Sequence, residues 1–320
     1  MQPCENVEAR NTRRWAASSI GAWFAGHAAP AAAALALGPW SMWQWPWTAA
    51  ARRGLLHNVG HAVQRAPADP LAQRLARRAF YHLRLNYRDL LLAPRLDAAA
   101  LDERVEIEGE AVLQRLRRRG QGAILLGGHF AGGELALQAL AARGWPALIA
   151  AERLQPPALF AWMCRLRGSH GHRFVPSDAL LTPVVRRLRQ GGLVGLMMDR
   201  DTTGSGRAVM VCGAAARLPA GALRLSLRLG APIVPLHASR RRDGSVLLHI
   251  EEPLVFGSTP DPEATLTNGL IALAARLERL ITWQPDQWVL TTPLWETSVD
   301  DASCLSRRTT LPSQAASPGT

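Results

Sequence analysis

Residues 122–144 read GAILLGGHFAGGELALQALAARG, and this stretch decides the fold. Ala123 to Leu126 form a short unbroken apolar run, the pattern of a strand buried on both faces. A glycine-bracketed turn, GGHFAGG, follows, and ELALQALAA then places apolar residues at helical spacing. A buried strand that ends in a glycine turn and feeds a helix is a unit of parallel-sheet folds. Outward from it the alternation repeats. PALIAAER (146–153), RFVPS (173–177) and GLVGLMMD (192–199) read as strands, while PALFAWMCRLRG (157–168) and LLTPVVRRLRQGG (180–192) read as helices. After a Gly-rich loop come PAGALRLSLRLGA (219–231), a helix, and PIVPLHASR (232–240), a strand, with SVLLHIEEPL (245–254) placed to pair at an edge. The expected fold is α/β, a mostly parallel central sheet flanked by helices, with a helical N-terminal segment. Sites in such folds gather beyond the carboxyl ends of the strands.

On the N-terminal side, LAQRLARRAFYHLRLNYRDLLL (71–92) has arginines between helically spaced apolar residues, a basic amphipathic helix. Residues 15–51 hold no Asp, Glu or Arg, and Trp40, Trp43, Trp45 and Trp47 precede Arg52-Arg53. Indoles beside arginines suit the headgroup level of a bilayer, while a helical hairpin packed on the main domain would use the same residues as core. Pro30, Pro39 and Pro46 interrupt any straight span. Thr12-Arg13-Arg14 faintly matches a twin-arginine export signal, but Trp15-Ala16-Ala17 is not the bulky apolar pair such a signal carries next. Beyond 297 the chain turns polar. The expected organisation is a membrane-associating helical segment over 1–51, a catalytic domain over 52–297 and a disordered tail over 298–320.

Composition narrows the function. With 48% hydrophobic residues in 320, the chain can bury a large core, which excludes a mainly disordered protein. All 37 basic residues are arginine, and the net charge is +12. Without lysine there is no Walker A lysine and no Schiff base. Arginine grips phosphate and carboxylate in pairs of hydrogen bonds, so an anionic partner is expected: nucleic acid, an acidic membrane face or a phosphorylated substrate. No nucleic-acid motif appears. Cys4, Cys164, Cys212 and Cys304 form no C-x-x-C pair, which argues against a disulfide scaffold or zinc knuckle and for a reducing compartment. No G-x-S-x-G occurs, which disfavours a serine hydrolase.

The strongest candidate for chemistry is His129, on the turn after the first quoted strand. Of nine histidines it alone has an acid, Glu134, five places on. Glu134 in the following helical turn is expected to hold one ring nitrogen, fixing the tautomer so that the other takes a proton from a hydroxyl. Backbone N–H groups of Gly132 and Gly133 are the candidates for an oxyanion site. Asp199-Arg200-Asp201 ends the strand GLVGLMM, where carboxylates holding a guanidinium would orient a phosphorylated or glycosylated headgroup. Arg217 leads into the next helix, whose N-terminus suits an anion.

The run around His129 resembles the H-x-x-x-x-[DE] motif of glycerolipid-type acyltransferases, in particular the family of lipid A late acyltransferases and phosphatidylinositol mannoside acyltransferases. The likeness extends from about 52 to 296 and takes in LLHNVG (55–60), the 76–87 helix, VEIEGEAVL (105–113), GLMMDRDTTGSG (195–206) and QPDQW (284–288). It implies that His129 is a general base with Glu134 as its partner, that Arg167 in RLRGSHG binds substrate, and that Asp199 is the family's strand-end acid. Two departures stand out. Val211-Cys212-Gly213 replaces a phenylalanine pair with glycine, and no His-Arg-Arg follows QPDQW, which brings the chain closer to the mannoside or another glycolipid branch and leaves the acceptor open.

The resulting expectation is a membrane-associated O-acyltransferase, with acyl-CoA or acyl-carrier protein as donor and a glycolipid hydroxyl as acceptor. It needs no metal or cofactor. It would sit on the cytoplasmic face of the inner membrane, peripherally or by its N-terminus. Two rivals remain. Asp199-x-Asp201-x-Thr203 satisfies the signature of haloacid dehalogenase-like phosphatases, with Asp199 as nucleophile; and an arginine-rich chain can bind anionic membranes without turnover.

Overall fold

A computed structural model describes residues 48–256 and 261–295. Apart from residues 48–51, the N-terminal segment with its tryptophan cluster lies outside the described residues, as does the tail over 298–320. Among the described residues two helices come first, α1 (Ala49–Ala62) and α2 (Pro70–Leu92). The long helix starts where its sequence says it should: the Asp69 carboxylate accepts the Leu71 N–H at 2.7 Å, and Pro70 follows with its φ already helical. Its buried face carries Ala72, Ala76, Ala79, Phe80, Leu85 and Leu90. Among the described residues, no helix is long and apolar enough to cross a membrane.

The alternating region then follows in order as α3 (Ala98–Asp102), β1 (Val105–Glu108), α4 (Glu110–Arg118), β2 (Ala123–Gly127) and α5 (Gly133–Ala142). Next come β3 (Ala147–Ala151), α6 (Pro157–Arg167), β4 (Arg173–Pro176), α7 (Leu181–Arg189) and β5 (Leu193–Met197). The chain continues through β6 (Arg207–Val211), β7 (Ala214–Leu218), α8 (Gly221–Leu229), β8 (Ile233–Arg240), β9 (Val246–Ile250) and α9 (Pro262–Trp283). Seven strands form one sheet in the order β1-β9-β8-β2-β5-β3-β4. All neighbours are parallel except β8 and β9, so the expected mostly parallel sheet flanked by helices is what the chain adopts.

Side chains alternate across β2, and both faces are covered. Ile124 and Leu126 pack with α7, α8 and α9 through Val184, Leu223 and Leu277. Ala123 and Leu125 pack with α4 and α5 through Leu113, Leu116, Leu135 and Leu140. That double burial is why the strand reads as a continuous apolar run. Two details differ from the sequence reading. SVLLHIEEPL is not at the edge, because β1, only four residues long, pairs outside it. The Gly-rich loop after β5 continues into an antiparallel hairpin, β6 and β7, turned by Cys212 and Gly213 at φ of 50° and 76°. Two successive positive φ values are what a two-residue hairpin turn requires.

The register of β2 against β5 is what positions the site. Gly127 lies opposite Met197, and the Met198 N–H donates to the Gly127 carbonyl at 2.8 Å. His129 and Asp199 therefore each stand two residues past a paired strand end, side by side on adjacent strands.

Candidate active site

His129 leaves β2 on a turn that must reverse before α5 begins. Gly132 makes this reversal at φ 79°, and a Cβ there would lie 2.7 Å from Val246, so both the conformation and the close approach call for glycine. The turn is clamped from two sides. From α2, the Asn86 amide donates to the Phe130 carbonyl at 3.0 Å and accepts the Gly132 N–H at 2.7 Å. From the C-terminal segment, Phe130 bridges antiparallel to Trp288, with Val289 N–H donating to the His129 carbonyl and Ala131 N–H to the Gln287 carbonyl, both at 2.8 Å.

The ring of His129 meets Asp199. Nδ1 lies 2.8 Å from Asp199 Oδ1, while Oδ2 accepts the His129 backbone N–H at 2.7 Å and the Trp288 indole N–H at 2.9 Å. The Asp199 side chain is 0% exposed and that of His129 34%. Burial alone would push the Asp199 carboxyl up. The His129 charge, the ring hydrogen bond, the backbone N–H and the indole together outweigh it and hold the group below the usual carboxylate range. An ionised Asp199 only accepts, so Nδ1 carries the proton. Nε2 has no hydrogen-bond partner among the described residues and is left as the acceptor.

This geometry corrects the expected pairing. Glu134 does not hold His129; its carboxylate grips Arg167, with Oε1 and Oε2 at 3.0 and 3.1 Å from Nε and a further short bond from Nη2 to Oε1. The first turn of α5 carries Glu134 and the last turn of α6 carries Arg167, each where its charge suits the helix end. Burial works against the Arg167 charge, but Glu134 raises its pKa overall.

Residues 44–297 match the model of the bacterial lipid A biosynthesis acyltransferases. The chain belongs to that family. Among curated proteins it is similar to the phosphatidylinositol mannoside acyltransferase of Mycolicibacterium smegmatis, at 28% identity over 78% of this chain and 80% of the relative. It is also similar to the proteins of the same name from two strains of Mycobacterium tuberculosis, at 28% identity over 61% of this chain and 60% of each relative. It is thus an acyltransferase of the bacterial lipid A biosynthesis family, and the reading as a non-enzymatic arginine-rich binder falls. The phosphatase reading falls as well, because Asp199 has both oxygens bonded and no exposed surface from which to attack phosphorus.

Several expected contacts of this acyltransferase go elsewhere. The guanidinium of Arg200 is held by Glu152, with Nη2 3.0 Å from Oε1, and not by its flanking aspartates. Asp201 shapes the loop into the β6–β7 hairpin, accepting Thr203 N–H at 3.0 Å and Gly206 N–H at 2.6 Å. Arg217 donates to the Gly206 carbonyl of that loop at 2.7 Å. The Gly132 N–H is taken by Asn86 and the Gly133 N–H points to the Phe130 carbonyl at 3.3 Å, so neither amide of the expected oxyanion pair is free. Sequence reasoning missed the supporting layer: Asn58, Asn86, Asp89, Arg240, Gln287 and Trp288. Asp89 and Arg240 form a buried ion pair, and the Arg240 backbone exchanges hydrogen bonds with the Gln287 side chain at 2.6 and 3.0 Å. The available signal was an interior Asn or Asp on the apolar face of a helical pattern, as at Asn86 and Asp89.

Proposed function

We propose that the protein moves a fatty acyl group from a thioester, on coenzyme A or a carrier protein, to a hydroxyl of a glycolipid acceptor. The observation that carries the mechanism is the 2.8 Å contact of His129 Nδ1 with a fully buried Asp199, which leaves Nε2 turned to the partly open side. Nε2 takes the acceptor's hydroxyl proton as the oxygen attacks the thioester carbonyl. The tetrahedral oxyanion then collapses with cleavage of the C–S bond, and the proton passes from Nε2 to the departing thiolate. Asp199 keeps the tautomer and stabilises the imidazolium formed in between. Glu134, in the first turn of the helix after the His129 loop, holds Arg167, which this reading makes the substrate-binding cation. The reading asks for no metal or cofactor, because a thioester is already activated.

The names of the relatives support an acceptor of the phosphatidylinositol mannoside type over a lipid A precursor, in line with the missing His-Arg-Arg after QPDQW. A lipid acceptor and a +12 chain with tryptophans beside arginines fit work on the cytoplasmic face of the inner membrane. The test is purified protein with labelled acyl-CoA or acyl-carrier protein and total membrane lipid, with the product analysed by mass. His129→Ala should remove nearly all transfer while melting like the wild type. Turnover at the wild-type rate in that variant sinks the assignment.

A further inference from the structure

Arg167 is held at two points, and both holds come from α5. Glu134 bonds the guanidinium through Nε and Nη2. One turn further along the same helix, the Gln138 amide donates to the Arg167 carbonyl at 2.9 Å. Positions four apart on a helix share a face, so both side chains reach the end of α6 from one side. Arg167 is the last residue of α6, and its carbonyl is one that the helix cannot satisfy from within. The guanidinium keeps spare capacity: Nη1 makes no hydrogen bond among the described residues, and the side chain is 28% exposed.

Gln138 is 1% exposed, on a helix whose other buried positions are Leu135, Ala136, Ala139, Leu140 and Ala141. A buried amide among apolar side chains is costly unless it is hydrogen-bonded. Gln138 is bonded, and in one orientation only. Its Oε1 accepts from the Ser169 hydroxyl at 3.1 Å and lies 2.8 Å from His170 Nδ1. Turning the amide over would set Oε1 against the Arg167 carbonyl, two acceptors face to face. His170 is braced in turn, with Nε2 2.7 Å from the Leu96 carbonyl in the connection from α2 to α3. The end of α6 is therefore fastened to α5 at this side chain. α5 also begins at Gly133, directly after the turn that carries His129. The placing of Arg167 relative to His129 is thus set through a single helix.

We propose that Gln138 is a positioning residue for acyl transfer: by clasping the Arg167 carbonyl in the orientation that Ser169 and His170 impose, it fixes where the unbonded Nη1 stands relative to His129. The proposal rests on the reading of Arg167 as the substrate-binding cation. Glu134 by itself lets the guanidinium move with the end of α6, whereas a second hold on the backbone fixes that end as well. A misplacement of about 1 Å is enough to weaken a contact that orients substrate.

The full chain is compared with Gln138→Met, which keeps length and loses the amide, with Arg167→Gln, and with the double variant. Steady-state transfer should show KM raised roughly 5- to 20-fold in Gln138→Met, for the same substrate whose KM rises in Arg167→Gln, with kcat within about threefold. In the Arg167→Gln background, Gln138→Met should add less than about twofold, since it acts through a group already removed. Hydrogen exchange read by mass supplies a measure without turnover: Gln138→Met should speed exchange over residues 157–172 and leave residues 123–131 as in the wild type. A side chain that only supports the fold would lower the melting point and leave both KM values unchanged. That result, beside an impaired Arg167→Gln, overturns the proposal alone, as does a Gln138→Met penalty that persists in full without Arg167. Wild-type KM values in Arg167→Gln would sink the substrate role of Arg167, and the proposal with it. If the wild type transfers no acyl group, the acyl-transfer reading fails and exchange judges the clasp: rates over 157–172 unchanged in Gln138→Met overturn it. Should Gln138→Met not fold, His170→Leu decides in its place, because it removes a contact to the Gln138 oxygen and spares the Arg167–Glu134 pair: KM values and exchange equal to those of the wild type overturn the proposal there too.

Discussion

Replacing Asp199 by Asn tests the centre of the mechanism with almost no change of shape. All three groups that reach the carboxylate are donors: the His129 backbone N–H and the Trp288 indole at Oδ2, and His129 Nδ1 at Oδ1. The amide oxygen of Asn satisfies two of them only from the Oδ2 position, which turns its NH₂ toward Nδ1. Nδ1 must then accept, and the ring proton moves to Nε2, where a base needs a lone pair. The same tautomer inversion in Ser-His-Asp hydrolases costs roughly 10⁴ in kcat, and a loss of about 10³ to 10⁴ is expected here. Stability should fall by about 1–3 kcal/mol, as charge-assisted bonds to a fully buried side chain become neutral ones. Its pH dependence has a definite sign. The folded carboxyl lies below its ordinary value, so its contribution is present above the unfolded value of about 3.9 and is lost as pH falls through the folded one. The part of the stability gap that the Asp199 carboxyl contributes should close only in acid, at roughly pH 4 and below. The assays are acyl transfer by mass analysis and denaturant unfolding across pH. Placing Asp199→Asn in a His129→Ala background should add less than about a threefold loss, since the two act as one unit. Transfer by Asp199→Asn within about tenfold of the wild type would refute the dyad.

Three further perturbations separate the parts. Glu134→Gln weakens the hold on Arg167 without touching the His129 tautomer, so kcat/KM should fall about 10- to 100-fold with the shape of the pH–rate profile kept; a profile shifted like that of Asp199→Asn would restore Glu134 as the histidine's partner. Asn86→Ala leaves the Phe130 carbonyl and Gly132 N–H unpaired in the interior, and should cost about 2–4 kcal/mol in denaturant unfolding along with most activity; an unchanged midpoint would show that the turn holds itself. His82, half-buried on α2, has its pKa lowered from 6.5 to about 4, chiefly by burial, with the charge of Asp286 working against that and those of Arg240 and Arg78 with it. The unfolded chain binds this proton first, so His82 makes the fold lose roughly 3 kcal/mol as pH falls from about 6.5 to 4, and His82→Gln should flatten that part of the stability curve relative to the wild type.

The fold was legible because burial writes itself into local pattern. β2, β3 and β5 are short apolar runs, and the helices between them show apolar residues at helical spacing. Strands that bury little were not: β1 has four residues of which only Val105 is buried, and β6 exposes alternate positions. His129 was legible from its glycine-rich turn. Its partner was not, because spacing along one helix favours Glu134 while the adjacency of β2 and β5 favours Asp199, seventy residues away. Strand order is a property of the whole sheet. No local count of residues between a histidine and an acid contains it.

Contacts distant in sequence also explain why LLHNVG and QPDQW, at opposite ends of the domain, accompany the histidine motif. Neither supplies the reacting group. Asn58 of the first holds the chain after the second, donating to the Leu290 and Thr292 carbonyls at 2.8 and 2.9 Å and accepting the Leu294 N–H at 2.9 Å. Gly54 lets α1 approach this segment so closely that a Cβ would fall 1.7 Å from the Thr291 carbonyl oxygen. The segment so fixed carries Trp288 to Asp199 and Gln287 to Arg240, and Arg240 is anchored by Asp89 on α2. The imidazole is therefore aimed by contacts between parts of the chain more than 200 residues apart. Each buried amide in that chain of contacts is satisfied only when both partners are in place, so loosening any one should misplace His129 while leaving most of the sheet standing.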